Sequence, residues 1–441
     1  MSKALIITPD YASHYYPISA IASELKARGH RVVVATGPGL LHRARSDGFE
    51  TLPLVLGPGN NPGLIRVQDQ SGTEGNQLAS FFEASRRGPI ATLTHQARHR
   101  LDDLLWEPLR VASRIDEIVQ VVDPDIVLVD HLAYGATAAL RGLGVAFATF
   151  HPGHPAAISS DRPYGVPMRF PPALDVDVGL LEELESLCSS VAEEFTARYN
   201  GVIESLGSGE PVEDAFTAPS SLTLINYPAA LGTGYDLPLV ARLIGSAVRD
   251  EELPEELSAA VASRAVPSVY VSLGSFFSAR SDLLNKLVSA FRSEPVQVIL
   301  ATGVTSPSEL GNIPGDWIVA PHFPQPPLLG LCDLVVTHGG NNTVTEALTA
   351  GTPLLVGPLS TDQFDGAADI AEAGLGAVFD PNRASYSDIA DRAHEVLASD
   401  APGRARALGE ALRSSPGQVQ AVDELESLAP SARRDARDGV G

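Results

Sequence analysis

The sequence predicts an α/β protein made of two doubly wound parallel sheets, and three observations lead to this prediction. The chain has 441 residues, which is too long for one ordinary core, and its 44% hydrophobic and 19% charged residues are typical of a globular protein. Short apolar runs alternate with helical segments, as in sheets covered by helices on both faces. The alternation stops and restarts near the middle of the chain, which indicates two domains of similar size.

The first unit is predicted as a strand, a helix and a second strand. Residues 4–8 form an apolar run of strand length, and Pro17 suits the first turn of the following helix, where its missing N–H would be unpaired anyway. Apolar residues then recur at helical spacing until Gly29, which ends the helix. The next strand is predicted at 32–35. A further helix is predicted at 115–122, with strands at 126–129 and 146–150.

Two segments of the first half show no regular period. Residues 57–80 are rich in Gly and Asn and are predicted to form a mobile loop. Residues 151–172 are dense in Pro and are predicted to form an irregular segment at the surface. A helical pattern returns at 180–206, and Gly, Pro and acidic residues over 229–267 then indicate an interdomain linker.

A second α/β unit begins after this linker. Its strands are predicted at 269–273, 296–300, 317–320, 334–337 and 354–356. The chain is therefore predicted to divide into an N-terminal domain over 1–228, the linker, a C-terminal domain over 268–413, a helix over 414–428 that returns to the N-terminal domain, and a polar tail over 429–441.

Charge and cysteine content exclude several classes of protein. A formal net charge of −23 argues against a nucleic-acid partner. The two cysteines, Cys188 and Cys332, do not form a disulfide framework, and no apolar run approaches the roughly 20 residues of a membrane span. We therefore expect a cytoplasmic protein without nucleic-acid or membrane partners, as a monomer or homodimer.

Polar residues follow the predicted strands in both halves of the chain. Ligands of open parallel sheets bind outside the carboxyl ends of the strands, so these residues are candidates for a site in a cleft between the domains. In the N-terminal half they are His14, Asp130, His131, His151 and His154. In the C-terminal half they are Ser275, His322, Gln325, residues 338–343, Asp362 and Gln363.

Residues 338–343 join a predicted strand to a helix that Gly351 ends. Gly339 and Gly340 let a ligand approach the backbone, and the free N–H groups of the first helical turn attract anions, so a diphosphate fits here. The alternative is a capping box with Thr343 as N-cap and Glu346 three residues later. A cap alone requires neither the histidine at position 338 nor the paired glycines.

These positions together resemble the donor-binding signature of family 1 glycosyltransferases, and most closely the bacterial natural-product and macrolide type. The C-terminal matches are Phe323-Pro324-Gln325, His338-Gly339-Gly340, Glu346, Gly351-Thr352-Pro353 and Asp362-Gln363. His14-x-x-Pro17, Asp130 and Ser272-Leu273-Gly274-Ser275 are similar to further parts of the family pattern. The resemblance implies the GT-B fold, in which two Rossmann-like domains face a central cleft, the first holding the acceptor and the second the nucleotide sugar.

The resemblance also implies roles for the donor-site residues. Ser275, His338, Gly340 and the backbone at Asn342 and Thr343 would contact the diphosphate of UDP-glucose or dTDP-glucose. Gln325 and Glu346 would hold the base and ribose. Asp362 and Gln363 would bind sugar hydroxyls, which favours glucose over a heavily deoxygenated sugar.

Three positions depart from the family pattern. His322 stands where many members place a Trp on the nucleobase, which leaves uracil and thymine open. Asp365-Gly366 replaces a common Gly-Asn pair, and Asn341 stands where plant members have Trp.

His14 is the predicted general base, and Asp130 would orient its ring and stabilise the imidazolium. The reaction would invert the anomeric carbon and need no metal or other cofactor. His131, His151 and Tyr164 are predicted to line the acceptor pocket. The aromatic residues predicted near it are Phe81, Phe82 and Phe170.

Three other functions compete with this prediction. His14, Asp130, His151 and His154 could ligate the metal of a hydrolase, although Pro152-Gly153 argues against one helix presenting the last two. A sugar-nucleotide epimerase or a non-catalytic partner of another transferase could share the fold. The acceptor stays open among polyketides, flavonoids, nucleosides and antibiotics.

Overall fold

Two parallel sheets, each between layers of helices, make up the computed structural model of this chain. The structure describes residues 1–59, 72–207, 209–263 and 265–438, with the backbone alone described at 72–74 and 429–438. Among these residues, no helix combines the length and apolar character needed to cross a membrane.

Within the described ranges, seven strands form the N-terminal sheet in the order β3-β2-β1-β4-β5-β6-β7, and every neighbouring pair is parallel. The central strand β1 aligns Leu5 with Val33 of β2 on one side and with Val127 of β4 on the other. The strands are β1 Lys3–Ile7, β2 Arg31–Thr36, β3 Glu50–Pro53, β4 Ile126–Asp130, β5 Ala148–His151, β6 Leu222–Ile225 and β7 Ala241–Leu243.

Helices cover both faces of this sheet because successive strand side chains point to opposite sides. Leu5 and Ile7 pack against α5, α6 and α7, whereas Ala4 and Ile6 pack against α1. The helices of this half are α1 Ala12–Ala27, α2 Pro38–Ser46, α3 Gly72–Arg87, α4 Pro89–Leu104, α5 Pro108–Val122, α6 Tyr134–Gly142 and α7 Val178–Leu206, with a short 3-10 turn at Pro155–Ile158.

The C-terminal sheet has the order β10-β9-β8-β11-β12-β13 and is also parallel between neighbours. Its strands are β8 Ser268–Ser272, β9 Gln297–Ala301, β10 Ile318–Ala320, β11 Leu334–Thr337, β12 Leu354–Val356 and β13 Gly376–Val378. Its helices are α8 Glu255–Ala262, α9 Gly274–Phe277, α10 Ser281–Phe291, α11 Gln325–Leu329, α12 Asn341–Ala350, α13 Gln363–Glu372, α14 Tyr386–Ala398, α15 Ala401–Ser414 and α16 Gly417–Asp438, with a 3-10 turn at Pro307–Glu309.

Two local predictions in the N-terminal half are wrong. Helix α1 begins at Ala12, so Pro17 lies inside it rather than in its first turn. Residues 72–80 belong to helix α3 rather than to a loop, because the same helix places Phe81 and Phe82 in the core of the other domain. The part of the predicted loop at 60–71 lies outside the described residues.

The segment predicted as a linker carries structure that belongs to both domains. Strand β7 pairs with β6, so the N-terminal sheet extends beyond the predicted boundary at residue 228. Val261 of α8 is buried in the C-terminal core. Short elements of this kind have too little periodicity to be read from sequence.

The C-terminal helix α16 returns to the first domain. Its buried residues Ala421, Val422 and Leu425 join the core formed by Ala4 and Ile6. Helix α16 continues to Asp438, so residues 429–438, predicted as a polar tail, are helical.

Candidate active site

His14 and Asp130 form a pair at the carboxyl edge of the N-terminal sheet. Asp130 is the last residue of β4 and is fully buried, and His14 lies in the first turn of α1 with its side chain 15% exposed. The imidazole Nδ1 lies 2.9 Å from Oδ2 and 3.0 Å from Oδ1 of the carboxylate. Since a carboxylate accepts hydrogen bonds, Nδ1 carries the proton and Nε2 keeps a lone pair. The pair can therefore take up a proton at Nε2.

Two further histidines lie behind this pair. The His131 ring stacks on His14 with centroids 5.7 Å apart, and the His151 ring stands edge-on to His131 at 4.1 Å. Burial lowers the pKa of both imidazoles, so both are neutral near pH 7. Their Nδ1 atoms are buried and have no hydrogen-bond partner among the described residues.

A cavity that opens to solvent extends from these two rings between α6, α7 and the sheet, with about 500 Å³ of empty space that includes the solvent-open part. Its lining includes His131, His151 and Phe216. Tyr164 does not line this cavity, and its ring stacks on Phe216 with centroids 4.2 Å apart. The cavity combines aromatic walls with two neutral imidazoles, as a binding pocket for a largely apolar molecule would.

The aromatic residues expected near an acceptor pocket are used for packing between domains. Phe81 and Phe82 are buried against Phe276 and Phe277 of α9, so the expectation that they line the pocket is wrong. Phe170 likewise contacts the ring of Phe364.

The four residues considered as metal ligands do not converge on one point. His154 Nε2 lies 2.8 Å from Asp369 Oδ2 and its Nδ1 accepts a hydrogen bond from the Ala156 N–H, so both ring nitrogens are engaged elsewhere. Among the described residues, a different trio has possible ligand atoms within 4.8 Å of one another, namely His14, Asp130 and His131.

In the second domain, His338 occupies the turn between β11 and α12. Burial lowers the pKa of this imidazole to about 4, so the ring is neutral at pH 7. A Cβ on Gly274 would lie 2.7 Å from the ring, and a Cβ on Gly340 would lie 2.6 Å from it. Glycine is therefore required at both positions to make room for the histidine. Gly339 has φ +85°, a conformation that favours glycine.

The capping-box alternative is wrong. Helix α12 begins at Asn341 with Gly340 as its N-cap, and the structure shows no side-chain cap. Thr343 lies inside the first turn, where its hydroxyl accepts a 3.3 Å hydrogen bond from Gln325 Nε2. The first-turn N–H groups consequently have no capping side chain and can meet an anion.

Gln325 and Glu346 belong to a buried polar cluster. Gln325 Nε2 donates to Glu346 Oε2 at 2.6 Å, and Arg249 Nη1 donates to Glu346 Oε1 at 2.7 Å. Burial raises the pKa of Glu346, and the Arg249 guanidinium opposes that rise. Arg249 also stacks over Tyr16 at 4.1 Å, which ties this cluster to α1. Sequence reasoning missed Arg249, since its only signal is a lone arginine before an acidic stretch.

Asp362 and Gln363, predicted to bind sugar hydroxyls, have partners within the chain. Asp362 Oδ2 accepts a 2.7 Å hydrogen bond from the His154 N–H. Gln363 Oε1 accepts the N–H groups of Leu359 and Ser360 at 2.9 and 3.1 Å. Of the other predicted donor residues, His322 is exposed beyond β10 and Ser275 lies in α9.

Three carboxylates on one face of α13 and its N-cap reach the first domain. Asp365 accepts the N–H groups of Met168 and Arg169 at 3.1 and 2.9 Å, and Asp369 accepts from the Tyr227 hydroxyl at 2.8 Å. With Asp362 they form an acidic row spaced by three and four residues. The sequence shows this spacing, but it does not show which groups of the other domain donate hydrogen bonds to the three carboxylates.

Comparisons with known proteins find similarity to glycosyltransferases. The profile of the family described as UDP-glucoronosyl and UDP-glucosyl transferase matches residues 194–401. The NDP-glycosyltransferase YjiC of Bacillus subtilis is 23% identical, over 96% of each chain. The oleandomycin glycosyltransferase of Streptomyces antibioticus is 27% identical, over 97% of this chain and 91% of that protein. An uncharacterized UDP-glucosyltransferase of Bacillus subtilis, YojK, is 31% identical over 36% of this chain, and the match spans only 39% of its own length.

Residues 194–401, just under half of the chain, are thus similar to family 1 of the glycosyltransferases. The fold of the chain is similar to the crystal structure of the glycosyltransferase of kitacinnamycin, with a TM-score of 0.70 and 19% identity over 97% of this chain and 98% of that one. The prediction of an α/β GT-B fold is confirmed. In this chain, the His14–Asp130 pair lies at the carboxyl edge of the first sheet, and His338 and the open start of α12 lie at the carboxyl edge of the second.

Proposed function

We propose that this chain transfers a hexose from a UDP- or dTDP-sugar to a hydroxyl of a small natural product. One observation carries the proposal. Asn342, in the first turn of α12, donates a 2.5 Å hydrogen bond to the carbonyl of Ser13, the residue before His14. The imidazole that can accept a proton and the helix start that can hold a diphosphate are therefore neighbours across the cleft.

In the proposed reaction, His14 Nε2 removes the proton of the acceptor hydroxyl. Asp130 accepts the Nδ1–H hydrogen bond and stabilises the imidazolium. The acceptor oxygen attacks the anomeric carbon while the bond from that carbon to the diphosphate oxygen breaks, and the diphosphate leaves with the electron pair. Because attack and departure occur on opposite faces, the configuration inverts.

The leaving diphosphate gains negative charge that α12 and His338 would stabilise. The first-turn N–H groups carry the positive end of the helix dipole, and the neutral imidazole adds a donor without repelling or titrating. We propose that this set replaces a metal ion. At Asp130, a metal would compete with the Nδ1 proton of His14 that holds the base in its working tautomer.

For the donor, we propose that the cluster of Gln325, Glu346 and Arg249 binds the nucleoside after exchanging some of its internal hydrogen bonds. Asp362 and Gln363 would have to exchange theirs in the same way to hold the sugar. The relatives' names, which include UDP-glucosyltransferase and oleandomycin glycosyltransferase, support a glucose donor and an antibiotic-like acceptor.

For the acceptor, we propose the cavity lined by His131 and His151, with Tyr164 contributing through Phe216. We also propose a cytoplasmic location. Cys188 and Cys332 are both buried and unpaired, as is usual for a protein of a reducing compartment.

The test is mass spectrometry of the purified protein with UDP-glucose or dTDP-glucose and a panel of acceptors, with chelator present. We expect a hexose adduct on an acceptor hydroxyl, and NMR of the product should show inverted anomeric configuration. Absence of any nucleotide-sugar binding by calorimetry would rule the proposal out.

The trio of His14, Asp130 and His131 favours one alternative, a metal-dependent hydrolase. The same assay, run with and without chelator, separates the two functions. Hydrolysis would release free sugar or another cleaved product without an adduct, and the chelator would abolish it.

A further inference from the structure

Helix α1 contains a proline where a helix interior normally has a backbone donor. Pro17 has no N–H, so the hydrogen bond that residue 17 would make to the carbonyl of Ser13, four residues earlier, cannot form. A proline at this position leaves the carbonyl of Ser13 without its helical partner, so that carbonyl can accept from another donor. This carbonyl lies at the cleft, directly before His14.

The missing donor comes from the other domain. The side-chain amide of Asn342 donates to the Ser13 carbonyl at 2.5 Å. Asn342 lies in the first turn of α12, where only backbone N–H groups were assigned to the diphosphate. Its side chain is therefore used toward the N-terminal domain.

The preceding residue makes a second connection of the same kind. Asn341 Nδ2 donates to the carbonyl of Pro152 at 2.6 Å and to the carbonyl of Asn226 at 3.0 Å, which uses both amide hydrogens. Pro152 follows β5 and Asn226 follows β6, so these acceptors lie at the carboxyl edge of the N-terminal sheet. The side-chain amides of two successive residues thus donate hydrogen bonds to three backbone carbonyls of the N-terminal domain.

We propose that Asn341 and Asn342 are positioning residues that set the start of α12 in register with His14, and that Pro17 makes the Ser13 carbonyl available to them. The inference rests on the proposed function, because it places the leaving group held by α12 relative to the base. Neutral amides suit this purpose, since they add no charge beside the diphosphate. A shift of about 1 Å between reacting groups can cost about a hundredfold in rate.

The decisive variants are Asn342→Asp and Asn341→Asp, which keep the shape of the side chain but remove its donors. We expect kcat to fall by roughly 10- to 100-fold in both aspartate variants. Because a carboxylate beside the diphosphate also weakens donor binding, donor affinity is measured by calorimetry in Asn342→Ala, where it should stay within about threefold of the wild type. Hydrogen exchange of the first turns of α1 should become faster, although the substitution is in the other domain. Asn342→Ala serves as a second variant if the carboxylate prevents folding.

Asn285→Asp is the matched control. Asn285 Nδ2 also donates to two carbonyls, those of Ser281 and Glu309, but both belong to the C-terminal domain. This variant should leave kcat and the exchange of α1 unchanged.

Pro17→Ala tests the second half of the proposal. It restores an N–H that can bond to the Ser13 carbonyl within α1, in competition with Asn342. The effects of Pro17→Ala and Asn342→Ala should therefore not add, because each breaks the same contact. Additive effects would remove Pro17 from the proposal.

Two results would overturn the inference. One is unchanged exchange in α1 in both aspartate variants. The other is a loss of donor affinity in Asn342→Ala equal to its loss of kcat, which would make Asn342 a direct donor contact. If the wild type shows no glycosyl transfer at all, the proposed function fails, whereas the exchange measurement still decides whether these amides connect the domains.

Discussion

The cleft presents two histidines, one from each domain, and their surroundings differ in kind. His14 faces the fully buried carboxylate of Asp130 through Nδ1 at 2.9 Å. His338 lies between Gly274 and Gly340, and within the described ranges no carboxylate hydrogen-bonds to it. Burial lowers the pKa of the His338 ring to about 4. The same side chain is thus arranged for proton uptake in one domain and for neutrality at pH 7 in the other.

This contrast shows that a histidine's chemistry depends on what its second nitrogen meets. A carboxylate at Nδ1 directs the lone pair of Nε2 outward and stabilises the cation. Enclosure that outweighs the attraction of a nearby carboxylate, which is Asp362 for His338, penalises the cation and leaves a neutral hydrogen-bonding group. Four substitutions test this difference between His14 and His338.

Replacing His14 by Ala should have the largest effect. We expect transfer to fall by about 10²- to 10⁴-fold, the usual contribution of a general base, with donor binding nearly unchanged. The measurement is kcat with saturating donor, alongside calorimetry. His394→Ala is the control, because His394 also pairs with a carboxylate, Glu294 at 2.6 Å, but at the surface. Activity that survives the loss of His14 would end its assignment as the base.

Replacing His338 by Ala should be the next largest change and should differ in type. Removing one preorganised donor to a charged oxygen typically costs about 10²- to 10³-fold in kcat. Donor affinity should also weaken, unlike in the His14 variant. Equal donor affinity in the His14 and His338 variants would contradict the proposal that, of these two rings, only His338 contacts the donor.

Gly340→Ala tests whether the enclosure of His338 matters. The new Cβ would lie 2.6 Å from the imidazole, so the ring must shift, at a cost of about 1–3 kcal/mol for overpacking. We expect a lower melting temperature and weaker donor binding. Gly201→Ala in α7 is the control, because its Cβ would meet nothing within 4 Å and should slightly stabilise the helix. A Gly340 variant that behaves like the Gly201 variant would show that the ring has room.

The smallest expected effect is on stability against pH. A histidine whose pKa is lowered on folding binds fewer protons in the folded state, so it reduces stability as the pH falls from its ordinary value of 6.5 toward about 4. The loss should be about 1–3 kcal/mol and should disappear in His338→Gln. Urea unfolding at pH 7 and pH 4.5 measures it. An unchanged pH dependence in the variant would show that the ring is not enclosed as described.

Much of the fold could be predicted because it depends on local pattern. Strands β11 and β12 have the bounds predicted for them, at Leu334–Thr337 and Leu354–Val356. Gly29 follows the end of α1 with φ +86°, as expected of a helix stop. The pairing of His14 with Asp130 was also predictable, because both follow strands that end at the same edge of one sheet.

The errors occur where a residue's partner lies in the other domain. A local rule predicts Pro17 in a first turn, but it lies inside α1. The Ser13 carbonyl, which Pro17 leaves without a helical partner, accepts a hydrogen bond from an amide of the second domain. Residues 72–80 resemble a loop in composition, yet the helix they begin buries Phe81 and Phe82 against α9. Arg249 has no motif and is identified only by its contact with Glu346.

The amino-acid sequence is enough to predict the alternation of strands and helices, the edge at which polar residues gather, and the family pattern that these residues follow. The packing of the two domains is needed to know which side chains close the cleft, which glycines enclose His338, and which carbonyls the two amides of α12 reach. Distance along the chain explains the difference. Periodicity and turn chemistry act over a few residues, whereas the hydrogen bonds between domains join atoms that are up to hundreds of residues apart in the chain and meet only when both sheets have formed.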